Sequence, residues 1–143
     1  MIKITEKPID VQKVIETASS LGAGAVNVFI GTVRDNANGK KVVWLEYESY
    51  EGMAIAEIRK IIDDAAHRWG LLGWGVSHRI GTLKPGEVAV VVAVAAPHRK
   101  ASFEACEFII NEIKAKAPIW KKEVFEDGEE WVSARPQVTT NPN

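Results

Sequence analysis

The sequence predicts an α+β fold, a mostly antiparallel sheet with about three helices. Two segments repeat apolar residues at helical spacing over several turns, and the run EVAVVVAVAA from Glu87 to Ala96 has the unbroken apolar character of a strand buried on both faces. Strand-like runs and tight-turn signals separate these segments, without the regular strand–helix alternation of a parallel sheet.

In chain order, Ile2 to Thr5 reads as a short first strand. A helix follows from about Asp10 to Leu21, with Val11, Val14, Ile15 and Ala18 on one face, and Gly22 and Gly24 end it. Ala25 to Arg34 is the next strand. Asn36-Ala37-Asn38-Gly39 has tight-turn chemistry, so Val42 to Ser49 is expected to return as its hairpin partner. From Met53 to Trp69, the residues Ala54, Ile58, Ile61, Ala65 and Trp69 recur every three or four positions, the stripe of an amphipathic helix packed on a sheet. Trp74 to Leu83 and Glu87 to Ala96 are strands joined at Lys84-Pro85-Gly86, the second expected at the centre of the sheet. A third helix, about Ala101 to Ala117, aligns Phe103, Cys106, Ile110, Ile113 and Ala117. Pro118 cannot continue it, and Ile119 to Glu126 resumes as a strand. Residues 1–135 are thus expected to form one domain, with 136–143 as a flexible tail.

A chain of 143 residues with 46% hydrophobic and 26% charged residues can bury a single core without disulfides or structural metal. The lone Cys106 allows no intrachain disulfide, and no Cys/His spacing suits zinc, so no metal or other cofactor is expected. The longest apolar run is about half the ~20 residues that cross a bilayer, and the N-terminus lacks a signal-peptide core; a cytoplasmic protein with no membrane contact is expected. Eighteen Lys and Arg against nineteen Asp and Glu leave a net charge of −1, which removes the global electrostatic case for nucleic acid. Charge is nevertheless uneven: the stretch from His98 to Lys122 holds six cations and three acids.

Within that stretch, Pro97-His98-Arg99-Lys100 lies between the most apolar strand and a helix N-terminus, where unpaired N–H groups favour anions over cations. Either an external anion such as phosphate completes this site, or it is a solvated basic turn answered by Glu104 and Glu107. Lys114 and Lys116 occupy the last helical turn, where lysines commonly complement the dipole. Lys121 and Lys122 are neighbours on a strand and must point to opposite faces, so at most one shares a pocket with Lys114. A lysine among other cations can be poised for proton transfer. Cys106 falls on the apolar stripe and reads as a core residue rather than a nucleophile. His67 and His78 lack metal spacing and are assigned surface or packing roles. Nucleotide-binding glycine loops and the serine-hydrolase elbow are missing from the sequence.

Five motifs in order carry a resemblance: F-I-G-T-V-R (29 to 34), L-E-Y-E-S-Y-x-x-M-A (45 to 54), H-R-I-G-x-L-x-x-G-E (78 to 87), P-H-R-x-x-x-F-E-A (97 to 105) and K-A-K-A-P-I-W-K-K-E (114 to 123). A G-x-x-W-V element at Gly128 to Val132 closes them. From about residue 4 to Arg135 the chain resembles the large, catalytic subunit of molybdopterin synthase. The resemblance implies an α/β hammerhead fold and a homodimer carrying two small ubiquitin-like sulfur-carrier subunits, a heterotetramer. It implies sulfurtransferase activity: the carrier's C-terminal thiocarboxylate enters a pocket, and sulfur passes to cyclic pyranopterin monophosphate to form the molybdopterin dithiolene. The chain ends Thr140-Asn141-Pro142-Asn143 rather than Gly-Gly, so the carrier role is not expected.

Carried over residue by residue, the family's pocket falls on Arg34, His98, Arg99, Lys114 and Lys121, with Lys122 and Glu123 beside it and Arg135 at a position associated with the other protomer. The resemblance makes Lys121 the first candidate for acid/base work and charge stabilisation, puts Lys114 nearest the incoming tail, and assigns phosphate and pterin to Arg34, His98 and Arg99. Two competing readings are a non-catalytic phosphate- or pterin-binding assembly module and a sulfurtransferase working through Cys106, the latter disfavoured by the core position of that residue.

Overall fold

The computed structural model describes residues 1–133, so Arg135 and the expected tail lie outside the described residues. The described residues form three helices and nine strands, the strands making two sheets. The first contains β1 (Ile2–Thr5), β2 (Ala25–Thr32), β5 (Gly73–Arg79) and β7 (Val88–Ala96), in the order β1-β5-β7-β2. Only β1 and β5 run parallel there.

β7 is interior, and its composition follows from its two neighbours above and below. Val90, Val92 and Val94 pack with Ile58, Ile62, Ile109 and Ile113 from helices α2 (Glu51–Trp69) and α3 (Arg99–Lys116). Val91 and Ala93 point the other way, onto Val14 and Ala18 of α1 (Val11–Ala18). A strand covered by helices on both faces has no position for a polar side chain, which is why alternation is missing.

The second sheet is built on β4 (Lys40–Ser49), flanked by β3 (Asn36–Ala37), β6 (Gly81–Leu83) and β8 (Ile119–Phe125), with β9 (Glu130–Val132) beyond β8. Val33, Val42, Leu45, Leu83, Ala89 and Phe125 form its own small core. Among the described residues no helix is long and apolar enough to cross a membrane.

Four sequence expectations change. The long hairpin between Ala25–Arg34 and Val42–Ser49 does not form: β2 pairs with β7, and β4 pairs with β8. The tight turn is real but joins only the two-residue β3 to β4, with Asn38 and Gly39 both at positive φ. The strand expected over Trp74–Leu83 breaks after Arg79; Gly81, at φ +92°, swings the chain into the second sheet as β6. Helix α1 stops at Ala18, where Ser19 turns to extended backbone (φ −65°, ψ 146°), and Gly73 packs so close to the Ala18 carbonyl that a Cβ there would overlap it. Phe103, placed on the buried stripe of the third helix, is 59% exposed; Ser102, Cys106, Ile109 and Ile113 carry the buried face instead.

Candidate functional site

A cleft of about 540 Å3 opens where the second sheet leans over the ends of β2, β5 and β7 and the last turns of α3. This is within the usual size of small-molecule pockets. Its apolar wall comes from Phe29, Val90, Ile110, Ile113 and Ile119, and its polar groups include Arg34, Tyr47, His78, Lys114, Lys121 and Glu123.

Each polar group is placed by its element. Arg34 follows the buried Val33, whose N–H donates to the Glu87 carbonyl at 3.0 Å and whose carbonyl accepts from the Gly86 N–H at 2.8 Å. Lys114 follows the buried Ile113 one turn before Pro118. On β8, Lys121 and Glu123 share the face that meets Tyr47 and Leu45, their registered partners on β4. His78, in the penultimate position of β5, is registered with Val90 of β7 and turns to the α3 side of the sheet.

Arg34, Lys114 and Lys121 form no ion pair among the described residues, whereas Lys116, Lys122 and Lys40 all do. Three cations therefore face one carboxylate, Glu123, inside a cleft with an apolar wall. Burial, reinforced by the Glu123 charge, raises the Tyr47 phenol above its ordinary value and keeps it protonated. Burial likewise pushes the His78 imidazole down to about 4; the Lys114 ammonium acts in the same direction, and the hydrogen bond to the Arg79 carbonyl opposes both. The Tyr47 and His78 rings meet edge to face, centroids 5.1 Å apart at 75°. Such a site suits an anion joined to a flat, partly apolar body.

Of the residues singled out from sequence, Arg34, Lys114, Lys121 and Glu123 converge on the cleft. Lys122 faces away, 3.5 Å from Glu46 and 3.4 Å from Glu130, and the charges of Glu130 and Glu46 raise its pKa. His98 and Arg99 are exposed at the N-terminal end of α3, about 22 Å along the helix from Lys114 at 1.5 Å per residue. They do not line this chain's own cleft. Arg135 lies outside the described residues. Cys106 is buried, its thiol 3.8 Å from the Val92 carbonyl and pushed by burial up to about 11, as its position on the stripe predicts. Tyr47 and His78 were not anticipated as site residues. His78 is buried, as a packing role requires, yet also lines the cleft; its sequence signal is a single imidazole ending an otherwise buried strand.

The chain matches the family model described as MoaE protein over residues 4–116. It is 46% identical over 141 residues to the molybdopterin synthase catalytic subunit of Bacillus subtilis (strain 168), spanning 99% of this chain and 90% of that protein. With the human protein of the same name it shares 41% identity over 131 residues, 92% of this chain and 70% of that protein. Among solved structures, molybdopterin synthase from Staphylococcus aureus superposes with a TM-score of 0.87 at 39% identity, covering 92% of this chain and 96% of that one. A protein–protein complex of subunits 1 and 2 of molybdopterin-converting factor from Helicobacter pylori 26695 gives 0.74 at 25% identity, covering 90% and 87%.

Proposed function

The chain belongs to the MoaE family, whose relatives are molybdopterin synthase catalytic subunits, and from that premise we propose that its cleft passes sulfur from a carrier's C-terminal thiocarboxylate to cyclic pyranopterin monophosphate. The observation that carries the reading is the convergence of Arg34, Lys114 and Lys121, none paired with a carboxylate among the described residues, on one partly apolar cleft. Unpaired cations held together are unfavourable unless an anion completes them, and both the phosphate of the pterin and the carboxylate-like tail are anions.

In this reading Arg34 holds the cyclic phosphate and Lys114, at the rim, meets the tail. Lys121, half-buried between Tyr47 and Glu123, stabilises negative charge as the thiocarboxylate adduct forms and exchanges a proton as it collapses. The apolar wall receives the pterin ring. The small ubiquitin-like partner is extended to this chain from the Helicobacter complex of two subunits and from the resemblance in sequence. The homodimer gives His98 and Arg99 their use: too far along α3 to serve their own chain's cleft, they serve that of the other protomer. The reaction takes place in the cytoplasm.

Single turnover with a separately thiocarboxylated carrier tests the reading. Conversion of the pterin to a dithiolene product is the expected result, and a protein that binds the pterin and returns it unchanged is a binding module instead.

A further inference from the structure

His78 Nδ1 lies 2.8 Å from the carbonyl oxygen of Arg79. A carbonyl only accepts, so Nδ1 carries the proton. A neutral ring protonated at Nδ1 bears a lone pair on Nε2, and the ring is neutral near pH 7 because it is buried at the wall of the cleft, with the Lys114 ammonium acting in the same direction. Among the described residues no donor occupies Nε2. Tyr47, packed edge-on, restrains the ring. The result is an acceptor of fixed direction in a cleft whose other nitrogen groups are all donors.

We propose that His78 is a specificity-determining residue: its Nε2 accepts a hydrogen bond from a ring N–H, amino or hydroxyl donor on the bound heterocycle, while the cations take that ligand's phosphate. A phosphorylated ring presenting a lone pair at this point would meet a second lone pair and be rejected. The inference rests on the reading of the cleft as a pterin-phosphate site.

Two substitutions separate the nitrogens. The amide of His78→Asn reaches the Nδ1 position and keeps a donor for Arg79 but leaves the Nε2 position empty, whereas the longer His78→Gln returns an oxygen acceptor near it. Titration calorimetry with cyclic pyranopterin monophosphate should show His78→Asn binding about ten-fold or more weakly than the parent protein, and His78→Gln recovering most of that loss. Inorganic phosphate should bind all three alike. In the unsubstituted protein, which does not depend on the variants folding, the 15N resonance of Nε2 should move upfield when the pterin is added, as for a lone pair that accepts a hydrogen bond. An unmoved Nε2, or parental affinity in folded His78→Asn, overturns the assignment of His78 alone. Absence of pterin binding by the unsubstituted protein overturns the reading of the cleft, and this inference with it.

Discussion

Lys121 and Lys122 are adjacent on β8, yet they live in different electrostatic worlds. On the outer face, Lys122 is held by Glu46 and Glu130; elsewhere on the molecule Lys40 lies between Asp127 and Glu129, and Lys116 against Glu112. On the cleft face, among the described residues, Lys121 joins Lys114 and Arg34 with no such partner and Glu123 is the only carboxylate lining the cleft. The outer face is internally neutralised and asks for nothing. The cleft face holds uncompensated positive charge, which a protein keeps where an anion is to be bound or a developing negative charge stabilised.

The largest expected effect breaks the pair apart. Lys121→Ala should lose on the order of 10² to 10⁴ in single-turnover dithiolene formation, with folding and carrier binding preserved. Lys122→Ala should stay within about three-fold of the parent, since a partly exposed ion pair on the face turned from the cleft contributes little. Lys121→Arg sharpens the result, because it keeps the charge while removing a readily titratable amine. Activity retained in Lys121→Arg but not in Lys121→Ala would reduce its role to electrostatics; equal activity in both alanine variants would erase the contrast between the faces.

A second test adds charge to the cleft face by pH. In the unfolded chain His78 titrates near 6.5, and in the folded protein near 4. Between these values the unfolded state binds the proton and the native state does not, so stability is complete above about 6.5 and falls as pH drops toward 4. The loss is about 3 kcal/mol. Urea titrations of the parent and of His78→Gln across this range should show the slope in the first and a flatter profile in the second. Matching slopes would mean that other groups account for the acid loss.

Arg99 supplies the third. Arg99→Ala should weaken binding of the pterin phosphate by roughly 1.5–3 kcal/mol, the worth of a charge-assisted contact, and leave carrier association intact. Because Arg99 and Lys114 occupy opposite ends of α3, mixing Arg99→Ala chains with Lys121→Ala chains should recover activity in the mixed dimers. Failure to recover any would confine both residues to one chain. The smallest effect is expected behind the cleft wall: Cys106→Ala should cost about 1 kcal/mol as a small core deletion and keep most turnover, while complete loss of turnover in a folded variant would make the thiol a participant.

Much of this could be read from the sequence, for a physical reason. Helices α2 and α3 declare themselves because burial on one face repeats every three to four residues, and β7 because burial on both faces removes every polar residue. Strand alternation alone sends Lys121 and Lys122 to opposite faces, and the structure agrees. These are properties of a residue and its near neighbours along one element. Which strands pair is not such a property: the Asn36–Gly39 turn made a long hairpin of β2 and β4 the natural local reading, but the apolar face of β2 is better buried beside β7 and under α3, so the partners come from far along the chain. Only the assembled fold turned His78 from a packing residue into a neutral imidazole lining the cleft, and only the position of the cleft at the C-terminal end of α3 left His98 and Arg99 outside its lining. The chemistry of each side chain is written locally; which side chains meet is decided by how distant segments share a core.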